Sequence, residues 1–433
     1  MTRRLPVPDG TLVVGAALLV AGVATYAFFR VGQNALGGPE EFAPISALWF
    51  ATFSLAPGIF IPLEQELGRA LSHRRARDEG GRPVVSKVLR LAAGLAGIVL
   101  LIIAISSPVV TSTYFSGDWV MMAALAVAFV AYAPALLARG ICSGSGRFGS
   151  YGLIVGSDGV VRILLTMALA AIGITAVGPY AFVVGLSPLV AVAFVAARGA
   201  LRTEMGPPAE WSEVTSNLGW LLGGSVFMAA LLNAGVVAAN LLSSDDEKFL
   251  VTQFAFGVLL ARVPLFMFQA VQAALLPRLS ALAARGELDE FVSGFKKLVI
   301  LVVAVGAIGT IGAAVLGPWV IEIVYEAELG SKTLTMLAFA SAVYMLALAI
   351  AQAVIALRGH ALVAAGWASA FVIFIIVTAV SSDELFWRIE LGLVCSSIAA
   401  AVFFAFALRS RLRVGARPDP DSIYDALTDR VAD

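Results

Sequence analysis

Residues 249–297 read FLVTQFAFGVLLARVPLFMFQAVQAALLPRLSALAARGELDEFVSGFKK. An apolar run long enough to cross a bilayer carries one cation, Arg262, meets Pro277-Arg278 at its end, and passes into a polar amphipathic linker before the next apolar run. A guanidinium at bilayer depth costs about 2.5–3.5 kcal/mol on insertion scales, so it is seldom left facing lipid. Arg262 is therefore expected to face a protein interior or a hydrated cavity.

The rest of the chain is of the same kind. Of 433 residues, 60% are hydrophobic and 13% charged, where a soluble domain carries roughly 25% charged residues. Blocks such as 91–117, 163–197, 298–321, 333–357 and 359–382 hold no Asp, Glu, Lys or Arg. About 20 apolar residues span the hydrocarbon as a helix, and only helices or closed barrels satisfy their backbone there. The expectation is an all-α, polytopic membrane protein of about twelve spans, near 11–33, 43–67, 86–110, 118–140, 150–173, 178–199, 212–241, 249–277, 295–321, 332–358, 360–381 and 385–409. The block 163–197 is too long for one crossing, and the turn signal from Gly173 to Pro179 divides it.

Charge sets the orientation. Of the 29 Lys and Arg residues, 23 fall on one side, including the seven from Arg69 to Arg90 and the five from Arg409 to Arg430. The opposite loops hold Lys248 and Lys332 beside Glu40, Glu41, Asp118, Asp245, Asp246, Glu247, Glu326, Glu328, Asp383 and Glu384. The basic side should be cytoplasmic, with both termini there and the chain in the cell membrane. Arg3 and Arg4 ahead of the first span read as an uncleaved signal anchor.

Several functions are argued against. A formal net charge of +0, basic on one membrane face only, gives no footprint for nucleic acid. Two cysteines, Cys142 and Cys395, make neither a disulfide framework nor a thiolate metal site, so no metal and no cofactor are expected. No extramembrane segment is long enough to fold alone, and no Ser/His/Asp, HExxH, Walker or GxGxxG pattern surrounds His73 or His360. An enzyme is not expected. Asp245-Asp246-Glu247 reads first as a solvated loop, and second as the acidic site of a membrane glycosyltransferase.

An internal repeat organises the chain. Phe60-Ile61-Pro62-Leu63 and Leu275-Leu276-Pro277-Arg278 each stand at an expected span end, followed by a polar linker and a lysine-led span (Lys87; Lys296 and Lys297). Two six-helix lobes, 1–205 and 206–410, with a cytoplasmic tail at 411–433, fit this spacing, and duplicated halves around a central site are a common plan of secondary transporters.

The run LARVPLFMFQAVQAALLPRLSALAARGELDEF, residues 260–291, and the segment GRFGSYGLIVGSDGVVRILL, residues 146–165, resemble the polysaccharide-flippase (Wzx-like) branch of the multidrug/oligosaccharidyl-lipid/polysaccharide (MOP) exporter superfamily. The resemblance implies movement of a polyprenyl-phosphate-linked sugar or oligosaccharide from the cytoplasmic to the outer leaflet by alternating access, in cell-envelope polysaccharide synthesis. Its expected partners are that lipid-linked glycan, membrane lipid, a coupling cation or proton, and envelope glycosyltransferases. A small-molecule or drug exporter of the same superfamily is the alternative.

Candidate residues follow from the cargo's chemistry. A lipid-linked sugar presents phosphate, and arginine meets phosphate with a planar, bidentate, permanently charged fork. Arg262, Arg162 and Arg30 are the membrane-depth candidates, with Arg388 near the outer boundary; for Arg30 and Arg388 the plain reading is an interfacial side chain that snorkels. Asp158 and Arg162 stand four apart on one helical face and form either a structural pair or a coupling switch. Glu64 and Glu66 precede Arg69 and make either a local surface network or an inner gate. Asn233, with Asn217 and Asn240, serves interhelical hydrogen bonding or sugar contact.

Overall fold

In the computed structural model the described residues are 11–75, 77–215, 218–244, 247–265, 268, 282–283 and 286–414. Arg3, Arg4, Asn217, Asp245, Asp246, Pro277-Arg278 and tail residues 415–433 lie outside them. Among the described residues there is no strand, and twelve helical segments are long and apolar enough to cross a membrane, the eighth (Lys248–Leu265) only when the residues beyond its regular helix are included. These are α1 (Thr11–Leu36), α2 (Pro39–Arg75), α3 (Arg82–Thr113), α4 (Trp119–Gly144), α5 (Phe148–Ala171), α6 (Val177–Ala197), α7 (Leu218–Leu242), α8 (Lys248–Ala261), α9 (Leu288–Tyr325), α10 (Ser331–Ala356), α11 (His360–Val380) and α12 (Leu385–Val414). A helical turn, Ser212–Thr215, precedes α7.

Local chemistry explains the joints. Gly37 and Gly38, at φ 105° and 156°, turn α1 into α2, and Gly173, at φ 78°, divides α5 from α6 where the sequence placed a break. Asp118 caps α4, its carboxylate accepting from the Val120 and Met121 amides at 2.7 and 3.3 Å.

Two expectations are corrected. Pro62 does not end the second span: α2 continues to Arg75 and contains Pro44, Pro57 and Pro62. Proline is tolerated inside a membrane helix where neighbours satisfy the carbonyl it frees four residues back. Here Asn233 Nδ2 of α7 donates to Phe53 O, the carbonyl freed by Pro57, at 2.9 Å. The eighth helix, expected to be unbroken over 249–277, stops regular pairing at Ala261; Arg262 is its C-cap and donates its amide to Leu259 O at 3.0 Å. Pro264 supplies no amide and restricts the residue before it, which accounts for a break at this point.

The packing repeats itself. α1 lies on α5, α2 on α4, α4 on α6 and α5 on α6; correspondingly α7 lies on α11, α8 on α10, α10 on α12 and α11 on α12. α3 and α9 take matching peripheral places on α4 and α10, each span only 17% buried, so both face lipid. The two bundles meet chiefly where α2 contacts α7 and α8. Gly58 permits that approach, since a Cβ there would stand 2.7 Å from Ser225 O and Val226 Cα.

Alternation of the twelve spans puts Arg69, Arg74, Arg82, Arg147 and Arg202 at one end of the bundle, the basic face. Glu40, Glu41, Asp118, Glu326, Glu328, Asp383 and Glu384 stand at the other, the acidic face. On the basic face the segment between α6 and α7 is fastened to the first bundle. The buried Arg74 guanidinium holds the Glu213 carboxylate by two bonds of 3.0 Å and donates to Pro207 O and Gly80 O at 2.8 and 3.1 Å. Arg147 donates to Ala200 O and Arg202 O, the Arg82 amide donates to Glu204 O, and the Lys87 ammonium sits 4.7 Å from the Trp211 ring centre.

Candidate functional site

A cavity of about 320 Å³ lies between the bundles, walled by α1, α2, α4, α5 and α6 on one side and by α7 and α8 on the other. Its charged lining among the described residues is Arg139, Arg162, Arg262 and Asp158, and Thr25, Tyr132 and Asn233 add polar groups. Three arginines against one aspartate make the lining net cationic.

The cavity is shut toward the acidic face by an aromatic plug. Phe29 is met edge-on by Phe42, Trp49, Phe50 and Phe256 at centroid distances of 5.3 to 6.1 Å, and Phe256 stacks on Tyr325 at 4.3 Å. Phe256 and Tyr325 belong to the second bundle, so the plug bridges the two. Hydrogen bonds cross the same plane: Gln33 Nε2 donates to Tyr325 O at 2.8 Å, Tyr26 hydroxyl to Leu259 O, and Arg30 pairs with Glu326. Glu326 holds a left-handed backbone (φ 51°), unfavourable for a side-chain-bearing residue, and the adjacent Arg30 guanidinium holds its carboxyl below the usual carboxylate range. Along α1 the cavity residues Leu18 to Thr25 precede the plug, and along the antiparallel α2 the cavity residues Phe53 to Ile61 follow it. Both orders place the cavity on the basic-face side.

The first bundle contributes a paired wall. Arg162, fully enclosed, donates through Nη2 to Asp158 Oδ2 at 2.8 Å, and Ser187 Oγ donates to Asp158 Oδ1 at 2.9 Å. Tyr132 hydroxyl stands 3.4 Å from the same Nη2, and the guanidinium lies over Phe28 and Phe53. The i, i+4 contact anticipated from the sequence is thus formed.

Glu64 and Glu66 are placed differently from their plainest reading, whereas Arg30 keeps its interfacial reading and not its cavity one. Glu64 does not join Arg69 in a surface network. It is buried and pairs with Arg139 Nη2 at 3.1 Å, while Tyr151 hydroxyl donates to its Oε1 at 3.0 Å. Glu66 does pair with Arg69, at 2.6 Å, but is itself 3% exposed, because α2 runs on past Pro62 and is covered there by its neighbours. Arg30 lies outside the cavity, in the acidic-face tie to Glu326.

Arg139 is the residue that sequence reading missed. The expected span near 118–140 puts Arg139 at its basic end, whereas α4 extends to Gly144 and keeps Arg139 inside the bundle, on the cavity wall. Its partners Glu64 and Tyr151 lie on other helices.

The second bundle contributes a different wall. Arg262 is 5% exposed, donates through Nη2 to Leu232 O, and lies 5.4 Å from the Phe50 ring centre, with Tyr26 and Tyr344 as electrostatic neighbours. Among the described residues no carboxylate pairs with it. The break at Arg262 sends its side chain across to α7 and the cavity. Asn233 lines the cavity, donates to Phe53 O and Ala229 O, and leaves its buried Oδ1 unpaired among the described residues. No group of three metal-ligating side chains occurs among the described residues.

No protein-family profile matches the sequence. An uncharacterized protein of Mycobacterium tuberculosis and one of Mycobacterium bovis are each 26% identical to it over 376 residues, 83% of this chain and 83% of theirs. A second uncharacterized protein of Mycobacterium tuberculosis is 26% identical over 388 residues, 85% of this chain and 84% of its own. Among solved structures, the inward-facing conformation of a multidrug resistance MATE family transporter of the MOP superfamily superposes with a TM-score of 0.74 at 14% identity, covering 94% of this chain and 98% of that one. A Vibrio cholerae MATE transporter gives 0.68 at 14% identity, over 93% and 97%. The fold is therefore MATE-like, all-helical and two-lobed.

Proposed function

We propose that this protein is a carrier that moves a polyprenyl-phosphate-linked sugar from the cytoplasmic to the outer leaflet by alternating access, without chemistry of its own. The observation that carries the reading is Arg262: a buried arginine on a cavity wall, held by a carbonyl and an aromatic face rather than by a carboxylate. A buried cation without a counter-ion is costly, and an anionic cargo relieves that cost when it binds. Arg139 and Arg162 add two further forks around the same space, and Asn233 Oδ1 offers an acceptor for a sugar hydroxyl. A volume of about 320 Å³ is at the lower end of ligand cavities, which suits a phosphate with one or two sugars.

The plug and the cavity on its basic side correspond to one of the two states such a carrier needs. The surplus of Lys and Arg supports the basic face as the cytoplasmic one, which would place both termini there and the chain in the cell membrane. The Asp158–Arg162 pair and the Glu64–Arg139 pair are the groups that could exchange partners with cargo, or with a coupling proton or cation. Envelope glycosyltransferases would supply and consume such a cargo.

A small-molecule exporter is favoured by one observation, the superposition on a multidrug resistance transporter of the MATE family. Reconstitution separates the two. Proteoliposomes holding a short-chain polyprenyl-phosphate sugar, labelled in one leaflet, should lose sidedness at least tenfold faster with protein than without. Fluorescent cationic drugs should not be extruded. Drug extrusion without lipid-linked sugar movement would transfer the assignment to the exporter. Cysteines replacing Ser72 and Ser331 should label from the cytoplasm and the outside respectively; labelling of both from one side would overturn the topology.

A further inference from the structure

A second cavity, of about 480 Å³, lies on the opposite side of the α2–α7 contact from the central one. The Asn233–Phe53 hydrogen bond and the close approach at Gly58 stand between them. Leu55 of α2, Ala238 and Leu241 of α7, and Phe371 and Phe374 of α11 form its walls, with Arg388 of α12 as the one charged lining residue among those described. Leu55, Leu241 and Ile375 are 41%, 52% and 51% exposed, so the cavity opens on the bundle's lipid-facing surface.

Its dimensions match one leaflet. The α7 lining runs from Ala230 to Leu242, about 18 Å at a helical rise of 1.5 Å per residue, and half of a hydrocarbon core is about 15 Å. The groove ends where α7 and α11 end and α12 begins, at the acidic face. There Arg388 lies one turn into α12, beside Trp387, whose ring carries the Lys332 ammonium at 4.0 Å. Aromatic and cationic side chains at that depth mark the headgroup level. Arg388 Nε is buried with no hydrogen-bond partner, and among the described residues no carboxylate pairs with its guanidinium.

We propose that this groove is a binding site for an anionic phospholipid of the acidic-face leaflet, with one acyl chain along α7 and α11 and its phosphate on the Arg388 fork. An apolar channel of leaflet length, ending in a cation that lacks a counter-ion, is complementary to a chain ending in a phosphate. Free phosphate would leave the channel unfilled, and a neutral lipid would leave the guanidinium unmet. The site does not depend on the identity of the cargo. Because α2 belongs to one bundle and α7 and α11 to the other, an occupant bridges the two and favours the arrangement in which the acidic face is shut.

Native mass spectrometry of the detergent-purified protein tests this with three probes: phosphatidylglycerol, diacylglycerol of the same chains, and a polyprenyl phosphate. One phosphatidylglycerol per chain should be retained, and diacylglycerol should bind at least tenfold more weakly. Arg388→Ala should lower phosphatidylglycerol affinity about tenfold and remove the preference over diacylglycerol, with partial recovery in Arg388→Lys. Ala238→Trp, which fills the channel from a lipid-facing position, should lower retention of both lipids. Phosphatidylglycerol binding unchanged in both Arg388→Ala and Ala238→Trp overturns the site. Preferential retention of polyprenyl phosphate at equal concentration overturns the phospholipid as occupant. Neither result depends on a transport assay, so failure of the flippase reading is scored separately.

Discussion

The two walls of the central cavity solve the problem of buried arginine in opposite ways. In the first bundle each arginine has a carboxylate, Arg162 with Asp158 and Arg139 with Glu64, and each pair is completed by a hydroxyl, from Ser187 or Tyr151. In the second bundle Arg262 has a carbonyl and the Phe50 ring. A satisfied pair can persist through a conformational cycle, whereas a cation held by dipoles retains most of its capacity to attract an anion. The paired wall is suited to positioning or switching, and the unpaired wall to holding cargo.

Breaking the unpaired wall should have the largest effect. Arg262→Ala should reduce flipping in proteoliposomes about 100-fold, the equivalent of losing two charge-assisted hydrogen bonds at about 1.5 kcal/mol each, while insertion and expression stay normal. Arg262→Lys should restore only part, because a point charge replaces a fork. Full activity in the alanine variant would erase the contrast between the walls.

The paired wall gives a smaller and more informative result. Asp158→Ala and Arg162→Ala each leave an uncompensated charge, and both should lower the thermal midpoint in detergent, Asp158→Ala more, because the stranded guanidinium is the better enclosed of the two groups. The double variant should recover stability. If it also recovers flipping, the pair is scaffold; if it folds yet does not transport, the pair takes part in coupling.

The smallest effect is expected at the acidic-face tie. Glu326 is exposed and its carboxyl is depressed by Arg30, so its contribution is complete above the usual carboxylate pKa of about 4.3 and is lost as pH falls through its lower folded value. The distance between spin labels on the acidic face, attached at Asn34 and Glu328, both exposed, should be the same at pH 5 and pH 8 and should lengthen in Glu326→Gln. A closure that weakens between pH 8 and pH 5 would show that a different group governs the seal.

The fold was legible because its signals are local. Charge-free blocks fixed the number of spans, and Gly173 fixed the division of a double-length one. The Asp158–Arg162 contact was equally local, at one helical turn. What escaped was set by partners far apart in the chain. Arg139 near the end of an apolar run resembles a loop cation until Glu64 and Tyr151, on two other helices, are brought to it. Arg30 and Glu326 are 296 residues apart. The helix break at Arg262 had a local cause in Pro264, but its consequence, a guanidinium turned toward Leu232 O, depends on where α7 lies. Pro57 likewise announced a freed carbonyl without saying that Asn233 would take it.

The fastening of the segment before α7 to Arg74, Arg82 and Arg147 makes that segment mechanically part of the amino-terminal half, although it leads into the other. Two half-proteins made as separate polypeptides should therefore reassemble when the cut falls after Thr215, since the Glu213 anchor then travels with its arginine. A cut at Gly206 would send Pro207, Pro208 and Glu213 away with the carboxy-terminal fragment, and leave the buried Arg74 with Gly80 O alone of its partners.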